Sequence, residues 1–286
     1  MPPITILQCY MVMGGIPFYL SLIDPRQSLV QNVDRLFFSH GGIMRGEFDE
    51  LYNALFSNAE LYISVVKALA QHHDGMTRTE ISKVIGANGG TLTRVLTNLE
   101  RCDFISRSQN FGCKTKDTIY RLMDFYTLFY YKFIAQDTSG DEQWWSHNFE
   151  SRLVSTWQGL TFEIVCLMHT DCIKKALGIS GMATEVSSWR KVADDKQRGG
   201  QIDLVIKRAD RIVHLCEMKF SKSEYRITDA YEQLLRQRME LFQSSTKTKL
   251  SLVITFVTTY GVADGLHHSI VHSEVTMSQL FIRNVT

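Results

Sequence analysis

Two stretches in the last third of the chain constrain its fold most. Ile202-Asp203-Leu204-Val205-Ile206 and Val213-His214-Leu215-Cys216-Glu217-Met218-Lys219 read as sheet core, yet each carries charge among apolar neighbours. A carboxylate buried in such a strand is costly unless a metal or a cation compensates it. Strand side chains alternate between faces, so Glu217 and Lys219 share one face and aim a carboxylate and an ammonium into the same space. Asp203 on the adjacent run completes a two-carboxylate cup for a hard divalent cation such as Mg²⁺. Asp203 and Glu217 are then candidate metal ligands, and Lys219 is left to orient a water or steady a phosphate. The plain alternative is a surface salt bridge at a strand end.

The flanking periodicity sets those runs in the order αβββαβ. A long apolar helix over 157–177 precedes extended runs at 182–189, 201–208 and 211–220, then a helix near 227–242 and a last run at 250–259. Upstream, residues 60–122 read as helix, helix, turn, helix, hairpin. Leu61, Val65, Val66 and Leu69 recur at helical spacing, and Thr77 with Glu80 three residues on has capping-box spacing. Leu92, Val95, Leu96 and Leu99 form the buried stripe of the third helix, and two strand-like runs flank a polar tip that includes Gly112. That order is a winged helix-turn-helix. An aromatic helix over 124–136 joins it to the αβββαβ unit.

The fold class expected is therefore α+β. At 286 residues the chain is about twice the usual domain length of roughly 150, so more than one compact unit is expected. The expected segments are 1–59 helical, 60–122 winged helix, 123–156 helical connector and 157–286 the αβββαβ domain. Net charge is +1, which leaves no global positive field to attract nucleic acid, so any such surface must be local. Only 60–122 has a basic excess, 9 basic against 6 acidic residues. Arg107, Lys114 and Lys116 on the hairpin, with Thr91, Thr93 and Arg94 on the third helix, are the candidate DNA contacts. A protein-contact role for the same module stays open.

The six cysteines include no CxxC pair, which points to a reducing cytoplasm. Residues 1–23 carry no side-chain charge, but they hold no basic n-region and Gly14-Gly15-Ile16-Pro17 breaks any helix, so no membrane span is expected. Cys166, His169 and Cys172, and separately His268 and His272, have helical spacings that invite zinc, yet neither set offers four ligands, and core packing is the preferred reading.

The acid at the start of the second strand and Glu-x-Lys on the third resemble the PD-(D/E)xK restriction-endonuclease-like superfamily, although Ile202 stands where a proline commonly precedes the acid. The resemblance implies a helix-borne acid, Glu163, as a further catalytic residue, and polar support from Tyr231 and Gln233. Gly14-Gly15-Ile16-Pro17-Phe18-Tyr19-Leu20, the 31–38 run, the winged helix, Trp157-x-Gly159-x-x-Phe162-Glu163 and Cys216-Glu217-Met218-Lys219-Phe220-Ser221 together resemble the C-terminal part of archaeal and bacterial AAA+/STAND-type ATPases. That likeness implies that 1–59 is a remnant of a helical lid and that an ATPase module, an ATPase subunit or a second copy of the chain is a partner. GxxxxGK[ST] is missing, and Gly86-Ala-Asn-Gly-Gly-Thr lacks the lysine a phosphate cradle requires, so no ATP site and no ATP hydrolysis are expected from this chain. Two functions are expected in turn: Mg²⁺-dependent phosphodiester cleavage at Asp203, Glu217, Lys219 and Glu163, or a non-enzymatic regulatory module with a degenerate nuclease fold.

Overall fold

The structure, a computed structural model, describes residues 1–113, 118–193 and 199–281. Helices and two sheets give a mixed α+β architecture. Contacts divide the chain into two compact units, Met1–Arg107 with Ile119–Thr161, and Ser108–Thr118 with Phe162–Thr286.

The first unit holds helices α1 (Pro3–Met13), α2 (Pro17–Ser21), α3 (Leu29–Val33), α4 (Ile43–Leu55) and α5 (Ala59–Ala70). Strand β1 (Met76–Thr77), helices α6 (Arg78–Ile85) and α7 (Gly89–Arg101), and strands β2 (Ile105–Ser108) and β3 (Ile119–Leu122) follow. Helices α8 (Phe125–Phe129) and α9 (Trp144–Asn148) and the start of α10 (Arg152–Met168) complete it. Thr77 opens α6 as its spacing predicts: Thr77 Oγ1 accepts from Glu80 N at 3.2 Å while Glu80 Oε2 accepts from Thr77 N at 2.7 Å. Gly86 ends that helix at φ +68°, a left-handed conformation glycine adopts without steric cost. The small sheet runs β1-β3-β2 with β1 and β3 antiparallel. Gly75 precedes it at φ +78°, and a Cβ there would lie 2.5 Å from Ile119 Cγ2.

An aromatic core fills the rest of this unit. Phe129 lies 4.7 Å from Phe37, 5.1 Å from Trp145 and 5.4 Å from Trp157, centroid to centroid, in edge-on contacts that ring quadrupoles favour. The aromatic helix expected over 124–136 is thus core, and its second half, Tyr130–Ile134, is a π-helical turn. Asp34 is buried beneath it and accepts bonds from Trp145 N at 2.8 Å and from the backbone and side chain of Ser146. Tyr19, Leu36, Phe37 and Phe38 are buried, whereas Ile6, Phe18 and Leu55 stay at least half exposed. Among the described residues no helix is long and apolar enough to cross a membrane.

The second unit is built on strands β4 (Thr184–Lys191), β5 (Gly200–Arg208), β6 (Ile212–Lys219), β7 (Ser251–Thr258) and β8 (Val271–Thr276), hydrogen-bonded in that order. β4, β5 and β6 are antiparallel, whereas β7 and β8 are parallel to β6. Helix α12 (Asp229–Thr246) links β6 to β7, with α11 (Thr170–Ala176) before the sheet and α13 (Met277–Leu280) after it. The single helix expected over 157–177 is two. The break falls at His169, whose φ of −104° and ψ of 28° depart from helical geometry, and Thr170 Oγ1 donates to Leu167 O at 2.8 Å beside it. β8 lies beyond the last run read from the sequence.

Residues 108–113 do not form a free polar hairpin tip. Phe111 N donates to Ser188 O at 2.7 Å and Ser188 N to Gln109 O at 3.0 Å, so this segment covers the β4 edge. Phe111 packs on the core of Trp189, Val205, Leu215 and Phe242.

Candidate functional site

Strand β6 carries the site. Val213 and Leu215 point into the core beneath α12, and alternation brings Glu217 and Lys219 to the same face near the strand end. Antiparallel pairing sets Leu204 opposite Cys216, where the β5–β6 pairing ends, so Asp203 and Glu217 each lie one residue beyond that last pair on neighbouring strands. β5 is not regular here. Its pairing with β4 passes from Ser187↔Val205 to Trp189↔Ile202, so Asp203 and Leu204 together oppose Ser188 in a bulge. The bulge lets Ile202 and Val205, three residues apart, enter the same core cluster. Asp203 Oδ1 accepts from Gln201 Nε2 at 2.8 Å.

Helix α12 crosses this face. Thr228 caps it by accepting from Tyr231 N, and Tyr231, Leu235, Arg238 and Phe242 recur at helical spacing as one stripe. Three donors from β6 and α12 reach Glu217. Lys219 Nζ lies 2.8 Å from Glu217 Oε1, Tyr231 Oη donates to the same oxygen, and Arg238 Nη1 donates to Oε2 at 2.6 Å. Lys219 Nζ also sits 5.0 Å from the centre of the Tyr231 ring, within cation–π range. The Glu217 side chain is only 13% exposed and each cation 26%. Burial, and then the charge of Glu217, push the Tyr231 hydroxyl far above the usual phenol range, so it stays a donor. Two cations face one carboxylate, which answers locally the charge-burial cost that the sequence raises.

No family model fits the chain, and no curated protein matches it.

Glu163 lies half-buried on α10, and its charge, after burial, raises the Cys166 thiol. Cys216 on β6 is pushed up to about 12, mainly by burial, so neither thiol is a thiolate nucleophile at neutral pH. Gln233, expected with Tyr231 to lend polar support to the site, donates to Asp229 on its own helix at 2.9 Å. Its position on α12 falls outside the stripe of Tyr231 and Arg238. Sequence reasoning misses Arg238 and Gln201, although an arginine in phase with Leu235 and Phe242 marks a charge on a buried helix face.

Asp203 and Glu217, on neighbouring strands, offer the hard oxygen donors that Mg²⁺ takes, and Glu217 lies beside the Lys219 ammonium, so the donor chemistry fits such an ion. Among the described residues no three His, Cys, Asp or Glu side chains converge as a metal group. His268 pairs with Glu274 at 2.8 Å, His272 with Ser273 at 2.9 Å, and the His169 ring lies against Phe281. Cys166 is buried and Cys172 half-buried on the next helix.

In the first unit, Thr91, Thr93 and Arg94 are exposed on α7. Thr93 Oγ1 accepts from Arg78 at 3.1 Å and donates to Gly89 O, which ties the helix start to α6. Arg107 is exposed and pairs with Glu100 at 2.8 Å. Lys114 and Lys116 lie outside the described residues.

Proposed function

We propose that this chain binds DNA through its first unit and hydrolyses phosphodiesters in its second, with Mg²⁺ held by Asp203 and Glu217. The observation that carries the reading is the pairing of Glu217 and Lys219, 2.8 Å apart on one face at the end of β6, and Asp203 on the neighbouring strand β5 is the second acid of the reading. The antiparallel, antiparallel, parallel run of β4 to β7, with α12 as the crossover, supports a restriction-endonuclease-like unit. When bound, the ion polarises a phosphate oxygen and lowers the pKa of a water. Lys219, held between Glu217 and the Tyr231 ring, orients that water or steadies the phosphate. Glu163 adds a carboxylate from α10. The order α5, α6, α7 with the β1-β3-β2 sheet supports a winged helix, in which Thr91, Thr93 and Arg94 face the nucleic acid. Exposed Ile16, Phe18 and Leu20 are the surface for an ATPase module or a second copy, and the unpaired cysteines suit a reducing cytoplasm.

The test is cleavage of a labelled duplex and of its single strand with Mg²⁺ or Mn²⁺. Cleavage by the wild-type chain that Asp203→Asn and Glu217→Gln abolish, with DNA affinity unchanged, is the expected result. Equal residual cleavage in all three proteins overturns the assignment.

One observation favours a second reading. Lys219, Arg238 and Tyr231 already satisfy both Glu217 oxygens without a metal. On that reading the second unit is a non-enzymatic regulatory module with a degenerate nuclease fold that partners an ATPase. Calorimetry with no Mn²⁺ binding to the wild-type chain, with or without a nucleotide, would select it.

A further inference from the structure

Arg238 borders two spaces at once. Its Nη1 donates to Glu217 Oε2 at 2.6 Å in the small pocket under β6. The same side chain lines a cleft of about 620 Å³ between the start of β5 and α12, within the 300–1,000 Å³ typical of small-molecule sites. Leu234 and Leu241 give the cleft an apolar wall, while Gln201, Gln237 and Ser244 supply polar groups. Glu240 also lines it, and among the described residues of the lining Arg238 supplies the positive charge for an entering anion. The planar guanidinium is suited to phosphate, which it can meet with two parallel donors.

The electrostatics then link the two spaces. A divalent cation at Glu217 and the guanidinium are like charges competing for one carboxylate, so each weakens the other. An anion in the cleft competes with Glu217 for the same guanidinium. We propose that Arg238 couples them: the cleft takes the phosphate of a nucleotide, Arg238 binds it, and Glu217 is thereby released to a divalent cation. The inference rests on the metal-dependent reading and assigns it a substrate subsite and an order of assembly. Arg238 acts on the cation through Glu217 and is a positioning residue for it.

The experiment is calorimetric titration of MnCl₂ into the full chain and into Arg238→Met, each with and without saturating thymidine monophosphate, corrected for Mn²⁺ association with the nucleotide in buffer. In the wild type the nucleotide should tighten Mn²⁺ binding, by a factor within the roughly 5- to 150-fold range of ordinary site coupling. Arg238→Met should bind Mn²⁺ more tightly than wild type without nucleotide and show no further gain with it. A folded Arg238→Met with unchanged or weaker Mn²⁺ affinity overturns the proposal while leaving the metal reading intact. An absence of any nucleotide effect in the wild type overturns it too, whether or not the variant folds. If neither protein binds Mn²⁺, the coupling and the metal-dependent reading fall together.

Discussion

Breaking the Glu217–Arg238 pair should destabilise the second unit by an amount that the geometry brackets. At a charge separation of about 4 Å and an effective dielectric constant of about 20, the attraction is about 4 kcal/mol before desolvation is counted. Exposed pairs net about 0.2–1 kcal/mol, and removing one partner of a fully buried pair costs about 3–5 kcal/mol. With Glu217 13% and Arg238 26% exposed, this pair lies between those limits. Lys219 and Tyr231 remain on Oε1 when Arg238 is removed, which lowers the penalty further. A coupling energy of about 2 kcal/mol is expected from a double-mutant cycle of Glu217→Gln and Arg238→Met. Urea unfolding should be followed by ¹⁹F NMR of 5-fluorotryptophan-labelled protein. Trp189 is the sole tryptophan of the second unit, so its resonance, assigned with Trp189→Phe, isolates that unit's transition. A coupling below about 0.5 kcal/mol would place the pair with ordinary exposed pairs and refute the claim that α12 neutralises Glu217.

Burial, then the Arg208 guanidinium and His272, hold the His214 imidazole down at about 4, against 6.5 for the free side chain. The folded chain therefore keeps His214 neutral while the unfolded chain takes up a proton. The resulting stability is fully present above pH 6.5 and is lost as pH falls through about 4; urea midpoints across that window should fall less steeply in His214→Gln than in wild type. Thr77→Ala should cost the first unit about 1 kcal/mol by removing the α6 cap, read from the Trp145 or Trp157 resonance in the same titration. If α7 contacts phosphates, Arg94→Gln should reduce the slope of log affinity against log salt by about 1 in a fluorescence anisotropy assay, and an unchanged slope would assign DNA binding elsewhere.

Local signals are legible in the chain where a short-range rule acts alone. Thr77 and Glu80 form their cap because both partners lie within one helical turn, and Gly86 ends α6 because only the backbone at that residue is at issue. Glu217 and Lys219 share a face because strand alternation is local, and β5, β6, α12 and β7 lie where the periodicity expects them. β8 escapes a reading of the sequence because Val271-His272-Ser273-Glu274-Val275-Thr276 is largely polar and owes its strand to pairing with β7. The helix over 157–177 reads as continuous because its apolar pattern continues past His169, where the backbone leaves helical geometry.

The α+β class, the caps, and the pairing of an acid with a lysine on one strand face are set in the chain itself, because each depends on residues within a few positions of one another. Packing between distant segments decides what Glu217 meets. Arg238 lies 21 residues away and reaches it only because α12 packs its stripe over β6. Likewise the bulge opposite Ser188 re-aims β5 around Asp203, and Phe111 leaves a polar stretch to join a core nearly 80 residues further on. In each case the deciding free energy comes from burying apolar surface between distant segments, and the charges are brought together by that packing.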